Sequence, residues 1–282
     1  MKHVPVLLDK VLETLGDISD RTIVDCTFGA GGYTRAFLDA GANVIAMDRD
    51  PNVLQDSGAI SEQYPGRFKF IAAPFSELKE HITVAPDAIV FDFGVSSMQI
   101  DNAERGFSFR FDGPLDMRME SDGQSAAELI ENTTVSDLTE ILREYGDVKK
   151  AGILARVIKD AKPKTTFELK NLIHVPKDVA PVFQALRIAV NDELGEIKNA
   201  LDAIPALINP GGMCICVTFH SLEDRLVKKV FREWTTPIGN PRLPVLVEPK
   251  FKLLRTFTPS DDDIQENQRA RSAHLRAVIK SY

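Results

Sequence analysis

The run Asp25-Cys26-Thr27-Phe28-Gly29-Ala30-Gly31-Gly32 sets glycines where a short apolar stretch, Thr22 to Cys26, gives way to a helical one. Glycine takes positive φ without a Cβ penalty and lets a ligand approach the backbone, so Gly31 and Gly32 are candidate ligand contacts. The third glycine of a dinucleotide fingerprint would fall at position 34, which is Thr34, and this departure counts against NAD. Asp48 closes the next apolar stretch, Asn43 to Met47, where a carboxylate can accept hydrogen bonds from both hydroxyls of a ribose. Asp50 reads instead as the cap of a helix begun by Pro51. Pro74-Phe75-Ser76 follows a third stretch and offers an aromatic ring either to adenine or to the core. Asp92 ends the fourth, Ala88 to Phe93. Open α/β sheets bind ligands beyond the carboxyl ends of their strands, so these four features share one crevice and suit one adenosyl ligand.

The elements that must hold them are legible too. Near-continuous apolar runs at 22–26, 43–47, 68–72 and 88–93, separated by helical stretches, predict a parallel sheet covered on both faces. The pattern changes from about Asp101 to Asn199, where no strand is evident. Ser125-Ala126-Ala127-Glu128 and Thr165-Thr166-Phe167-Glu168 are capping-box patterns there. Leu138, Ile141, Leu142 and Tyr145 share one helical face, as do Phe183, Leu186, Val190 and Leu194. Strand character returns at Met213 to Phe219, then at Phe251 to Phe257 and Leu275 to Ile279. The fold class is therefore α/β. A doubly wound sheet domain spans residues 1–100 and 200–282, and residues 101–199 form an all-helical insertion.

Composition narrows the function classes. The 282 residues carry a net charge of −7, which argues against a protein that coats nucleic acid without selectivity. Local charge differs: Arg143, Lys149, Lys150, Arg156, Lys159, Lys162, Lys164 and Lys170 face only four acids between them. The segment from Lys250 to Lys280 is also rich in basic residues, set against Asp261, Asp262, Asp263 and Glu266. Such runs suit either a solvated face or a selective RNA contact. Arg105-Gly106-Phe107-Ser108-Phe109-Arg110-Phe111 mixes rings and guanidinium groups, a combination that serves base stacking or the docking of the insertion. Cys26, Cys214 and Cys216 lack the spacing of a disulfide framework or zinc site and read as core residues. With no secretory signal at Met1-Lys2-His3-Val4-Pro5 and no membrane-length apolar run, the expected location is cytoplasmic, with no membrane partner. A homodimer is left open.

Several longer motifs are less generic. They are His3-Val4-Pro5-Val6-Leu7-Leu8, the glycine turn, Phe91 to Ser97 with Gln99, Glu104 to Met119, Phe183 to Glu196, Phe219 to Lys228, and Arg269 to Ala273. Together they resemble the bacterial 16S ribosomal RNA cytosine-N4 methyltransferase family over almost the whole chain. The resemblance implies a class I (Rossmann-like) methyltransferase sheet with an inserted helical domain that helps recognise substrate. It further implies S-adenosyl-L-methionine as methyl donor and a cytosine of 16S ribosomal RNA in the small ribosomal subunit as acceptor. Cofactor contacts carry over onto Gly31, Gly32, Tyr33, Asp48, Phe75, Asp92 and Gln99, with Tyr33 and Gln99 resting on the resemblance alone. Two departures stand out. Tyr33 replaces the family's usual His, and Lys177-Asp178-Val179-Ala180-Pro181-Val182 replaces the usual His-Pro-Ala-Thr-Arg-Thr, whose His and Arg could serve RNA phosphate.

For that reaction, the cytosine amine is a poor nucleophile because its lone pair is delocalised into the ring. Catalysis needs in-line alignment and an acceptor for the amine as it becomes tetrahedral, but no metal. The Asp/Asn-Pro-Pro-aromatic turn of many amine methyltransferases is replaced here by Asp92-Phe93-Gly94-Val95-Ser96-Ser97. Ser96, Ser97, Asn191 and His220 are therefore the candidate catalytic residues, with Asp192 and Glu223 in reserve. His220-Ser221 also reads as a helix start, with Ser221 capping and Asp224 three residues on. A nucleotide-dependent dehydrogenase and a non-catalytic RNA-binding protein are the competing readings. The first lacks a hydride-transfer site, and the intact glycine turn opposes the second.

Overall fold

A computed structural model describes residues 5–237 and 247–281, so His3 and Val4 of the N-terminal motif lie outside the described residues. The chain divides into two compact units, Met1–Gly94 with Leu194–Tyr282, and Val95–Glu193.

The first unit is built on seven strands: β1 Thr22–Asp25, β2 Asn43–Asp48, β3 Phe68–Ala72, β4 Ala88–Asp92, β5 Met213–Thr218, β6 Phe251–Phe257 and β7 His274–Lys280. Their order is β3-β2-β1-β4-β5-β7-β6. The first five pair in parallel, while β7 runs antiparallel to both β5 and β6. The apolar runs explain this. Every residue of β5 is buried, as a strand covered on both faces requires. Around the sheet run α1 Leu8–Leu15, α2 Gly32–Asp39, α3 Leu54–Gln63, α4 Leu78–His81, most of α11 Glu193–Leu207, α12 Ser221–Thr235 and α13 Asp261–Glu266. The core joins Val24, Met47, Phe91, Phe93, Ile204, Cys216, Phe231 and Val278. Cys26, Cys214 and Cys216 are free thiols buried in it. Among the described residues no helix is long and apolar enough to cross a membrane.

The second unit is helical: α5 Ser97–Asp101, α6 Ala126–Asn132, α7 Val135–Glu144, α8 Ala151–Ala161, α9 Thr166–Leu172 and α10 Val179–Asn191. Ser125 with Glu128 and Thr165 with Glu168 form reciprocal capping boxes at the starts of α6 and α9. Its own core gathers Leu115, Met117, Ile130, Leu138, Leu142, Ile158, Leu169, Val182 and Leu186. Lys159 Nζ donates to the carbonyls of Ile130 and Glu131 at 2.9 and 2.7 Å, satisfying acceptors that the end of α6 leaves open.

Candidate active site

The glycine turn leaves β1 at Asp25 and is held by backbone and side-chain contacts. The Phe28 N–H donates to the Met47 carbonyl at 3.0 Å and the Gly31 N–H to the Phe28 carbonyl at 2.7 Å. Gly31 has φ +74°, and a Cβ there would lie 2.6 Å from Ile60 Cδ1. A Cβ on Gly32 would meet Pro5 Cγ at 2.4 Å, so this glycine is required by the packing of the chain start. Asp48, at the end of β2, accepts from the Gly29 N–H at 2.8 Å through Oδ2 and from the Asp50 N–H at 2.9 Å through Oδ1. Burial raises its carboxyl above the usual range. Asp50 caps the short turn from Pro51 to Val53 through the Asn52 N–H, as its position ahead of proline predicts.

Beneath the turn lies a cluster of acids. Asp25 is buried, accepts from Thr34 Oγ1 at 2.6 Å and from the Thr27 N–H at 3.2 Å, and is pushed up to about 6, chiefly by burial. The hydroxyl standing where a dinucleotide fold would have glycine therefore has a use here: it holds Asp25. Thr27 Oγ1 in turn accepts from the Asp92 N–H at 2.8 Å. Burial raises the Asp92 carboxyl well above the ordinary range, helped by the negative charge of Asp25 and Glu223. Its Oδ1 is buried with no hydrogen-bond partner among the described residues. A buried polar atom in that condition is rare in native folds and marks a place where a ligand can supply the partner.

At the end of β5, His220 rather than Ser221 caps α12, which corrects the sequence reading. Glu223 Oε2 accepts from the Phe219 and His220 N–H groups at 2.7 and 3.2 Å, and the Glu223 N–H donates to His220 Nδ1 at 3.4 Å. Asp224 is taken instead by Arg276 of β7, in two bonds at 2.8 and 3.0 Å. Nε2 of His220 and Oε1 of Glu223 stand 3.0 Å apart. Their alignment falls short of a hydrogen bond, and both atoms remain unsatisfied. A Cβ on Gly94, which has φ +99°, would lie 4.0 Å from Glu223 Oε1, so the backbone leaving β4 passes over this carboxylate. Phe75 is half-buried, edge-on to both Phe91 and Phe93 with ring centroids 5.8 and 5.7 Å apart, and so belongs to the core on one side. Tyr33 is buried, and its hydroxyl donates to the Val6 carbonyl. The Asp25, Asp92 and Glu223 carboxyls, with the unsatisfied His220 nitrogen, thus meet at the carboxyl ends of β1, β4 and β5. Sequence reading missed the Thr27–Asp25–Thr34 support; its one local signal is Asp25, whose side chain can accept from the N–H two residues on in an Asx turn.

A consequence for stability follows from Asp25. A carboxyl near 6 in the fold and 3.8 in the unfolded chain binds more protons when folded, so its contribution is fully present below pH 3.8 and is lost as pH rises to about 6. The loss amounts to ~3 kcal/mol. Urea melts of wild type and Asp25→Asn should diverge across that window, the wild type losing stability relative to the variant. Parallel pH profiles would show that folding does not raise the Asp25 carboxyl above its unfolded value.

The other candidates lie in the helical unit. Ser96 and Gln99 form a reciprocal capping box at the start of α5: the Gln99 N–H donates to Ser96 Oγ at 3.2 Å and the Ser96 N–H to Gln99 Oε1 at 2.9 Å. Ser97 is the first residue of that helix. Asn191 Oδ1 accepts from the Met119 N–H at 2.8 Å, and its Nδ2 donates to the carbonyls of Met117 and Arg187 at 2.8 and 2.9 Å. Asn191 therefore positions the 117–119 segment from the end of α10. Phe107 is buried and Phe109 stacks edge-on against Phe183 at 5.4 Å within the unit's own core, while Phe111 is exposed. Of the eight basic residues between 143 and 170, four have structural uses. Lys159 closes α6, Lys162 and Lys164 reach Glu131, and Lys170 Nζ donates to the Phe109 carbonyl. Arg143, Lys149, Lys150 and Arg156 are exposed. The unusual 177–182 segment leads into α10, with Val179 and Val182 buried in the helical core.

A sequence profile of the MraW methylase family matches residues 1–281. A protein of Sinorhizobium fredii named ribosomal RNA small subunit methyltransferase H is 46% identical over 100% of this chain and 88% of its own. Proteins of the same name from Mesorhizobium japonicum and Rhizobium meliloti are 46% and 44% identical, with the same coverage of each chain. The sheet order, with its antiparallel β7, fits the class I methyltransferase sheet that the resemblance implies. With the profile and the relatives both spanning the molecule, the chain belongs to the MraW methylase family.

Proposed function

We propose that the protein transfers a methyl group from S-adenosyl-L-methionine to the N4 amine of a cytosine in 16S ribosomal RNA of the small ribosomal subunit. The observation that carries the cofactor half is the buried, unpartnered Oδ1 of Asp92 beside the glycine turn. The residues fit an adenosyl ligand. Asp48 spends one lone pair of each oxygen on backbone N–H groups and keeps others for ribose hydroxyls. Gly31 and Gly32 leave the turn free of side chains, and Phe75 presents a ring whose other side is fixed by Phe91 and Phe93. Tyr33, Asp92 and Gln99 complete the proposed contacts. The bound cofactor supplies an already activated methyl group, and the protein's task is alignment.

The family resemblance and the relatives' names support the RNA half of the reading. Among the catalytic candidates, Ser96 keeps a hydroxyl proton and a lone pair after capping α5, and Ser97 stands next to it. His220 accepts from the Glu223 N–H through Nδ1, so its neutral ring presents Nε2 as an unsatisfied N–H donor that can orient the base rather than accept from the amine. Asn191 acts as a positioning residue, because its amide is committed to the 117–119 backbone. In this reading the helical unit recognises substrate, with Phe111 and the four uncommitted cations as its RNA-facing groups.

The test is methyl transfer from labelled S-adenosyl-L-methionine to small subunits that lack the family's modification, with the product nucleoside identified by mass spectrometry. N4-methylcytosine at a single position is the expected product. Cofactor binding without any transfer to these subunits would overturn the proposal.

A further inference from the structure

α12 leaves the candidate site at His220 and runs outward for fifteen residues. Its inner face is apolar, with Val227, Val230 and Phe231 buried. Its outer face exposes Arg225, Lys228, Lys229 and Arg232. These positions, i, i+3, i+4 and i+7, form a single stripe on a helix. Their acidic neighbours offset them only in part, through the attraction of Lys228 to Asp224. Glu223 is buried at the helix start, and Asp224 is bound in two hydrogen bonds to Arg276. Glu233 alone remains among the exposed residues of the helix as an opposing charge. Among the described residues, none of the four cations lies within ion-pair distance of a carboxylate.

The stripe is exceptional for this unit. In α3 the charged residues are Asp56 and Glu62, and in α11 Lys198 is bound to Asp202. The chain as a whole carries −7. Four like charges on one face repel one another and oppose helix formation slightly, and only Arg232 in the last turn and Lys228, attracted to Asp224, have offsetting local interactions. At 1.5 Å rise per residue the stripe extends about 10 Å, long enough to follow a nucleic-acid backbone across more than one phosphate. It begins five residues after His220, so a strand held along it leads toward the end of the sheet where Asp92 lies.

We infer that the α12 stripe, Arg225, Lys228, Lys229 and Arg232, is a phosphate-backbone contact for RNA on the sheet unit itself, separate from the helical unit. The inference rests on the RNA reading above. Contacts of this kind fix register and orientation without reading bases. They act in ground state and transition state alike, so they govern KM and salt dependence rather than kcat.

The experiment neutralises the stripe, R225Q/K228Q/K229Q/R232Q, and compares it with R21Q/K69Q/K79Q/K198Q, which removes four exposed cations elsewhere on the same unit. Exposed Lys→Gln and Arg→Gln changes leave helix propensity nearly unchanged, and equal melting temperatures would verify folding. Expected for the stripe variant is a KM for small subunits raised about tenfold or more with kcat retained. The dependence of log KM on log salt should also flatten by roughly 0.7 for each phosphate that the variant no longer neutralises. The charge-matched variant should stay near wild type. Equal KM values and salt slopes for the two variants would overturn the inference.

Equilibrium binding of the same small subunits, measured without methyl donor, separates this inference from the reaction on which it rests. Stripe-dependent binding with no transfer by the wild-type protein would retain the surface and reject the reaction. Transfer with stripe-independent binding would do the reverse. Loss of binding to intact subunits, with unchanged binding to the same RNA free of protein, would assign the stripe to an acidic protein and overturn it as an RNA contact.

Discussion

Asp92→Asn is expected to leave the free protein at least as stable as wild type while weakening S-adenosyl-L-methionine binding roughly tenfold to a hundredfold. The two effects have opposite signs because one atom causes both. Asp92 is buried, its Oδ1 has no partner among the described residues, and Asp25 and Glu223 place further negative charge around it. Burial and that neighbouring charge both favour the neutral form of its carboxyl. Asparagine has the same shape, carries no charge and cannot ionise, so packing is kept. The folded carboxyl lies above its unfolded value of 3.8, so the wild type loses stability as pH rises past that value and the variant does not. The gap in melting temperature should widen from acid to neutral pH in the variant's favour. Binding suffers because an amide cannot present an anionic oxygen to a cationic ligand, and such charge-assisted bonds are the stronger ones. Thermal melts with and without the cofactor read both quantities. A destabilised variant with unchanged cofactor response would show that Asp92 serves the fold and not the ligand.

Gly106→Ala should destabilise the helical unit by ~3 kcal/mol or more. Gly106 has φ +70°, and a Cβ would lie 2.2 Å from the Pro114 carbonyl oxygen and 2.7 Å from the Asp116 nitrogen. Both obstacles are backbone, so no rotamer change relieves them. The Met117 N–H donates to the Arg105 carbonyl at 3.0 Å, and Arg105 Nη2 reaches the carbonyls of Arg118 and Met119 at 2.9 and 3.1 Å. Opening the chain at position 106 would release all three bonds. Gly123→Ala is the matched comparison: φ is +88° but nothing lies within 4 Å, so only the left-handed conformation is penalised, at ~1 kcal/mol. Urea midpoints and proteolytic cleavage between residues 102 and 119 would distinguish them. Equal losses in the two variants would mean that the 102–119 segment yields without cost.

The central strands β4 and β5 were readable because burial on both faces leaves an unbroken apolar run, and the less covered edge strands β3 and β6 because aromatic and aliphatic residues recur along them. The Phe68–Ala72 and Phe251–Phe257 boundaries match their predicted ranges, and β7 extends one residue beyond its range at each end. The glycine turn and the strand-end acids Asp48 and Asp92 were readable because their positions follow from the strands. The cap of α12 was not. Ser221 and Asp224 satisfy the local pattern, but Asp224 is claimed by Arg276, 52 residues away, and a local pattern carries no record of such a partner. The aromatic-rich 105–111 segment was ambiguous for a similar reason. Phe107, Phe109 and Phe111 have the same chemistry, and only the helical core decides that two are enclosed and the third is exposed. Asn191 stood out by residue type, whereas its amide hydrogen bonds to backbone 72 and 74 residues away, made beside one to Arg187 in its own helix, leave no local sign.

The interruption between β4 and β5 bears on how the chain is born. These neighbouring strands pair from Ala88↔Met213 to Asp92↔Val217, yet everything from Val95 to Glu193 is synthesised between them. The central sheet cannot close until the ribosome has released the helical segment, whose contacts are mostly local and form fast. During that interval β1 to β4 have one edge without its strand, and Ala88 to Phe91, wholly buried in the finished protein, await their cover. Slow translation through the helical segment would lengthen that exposure, whereas early collapse of that segment would draw the two ends of the gap together and shorten the search.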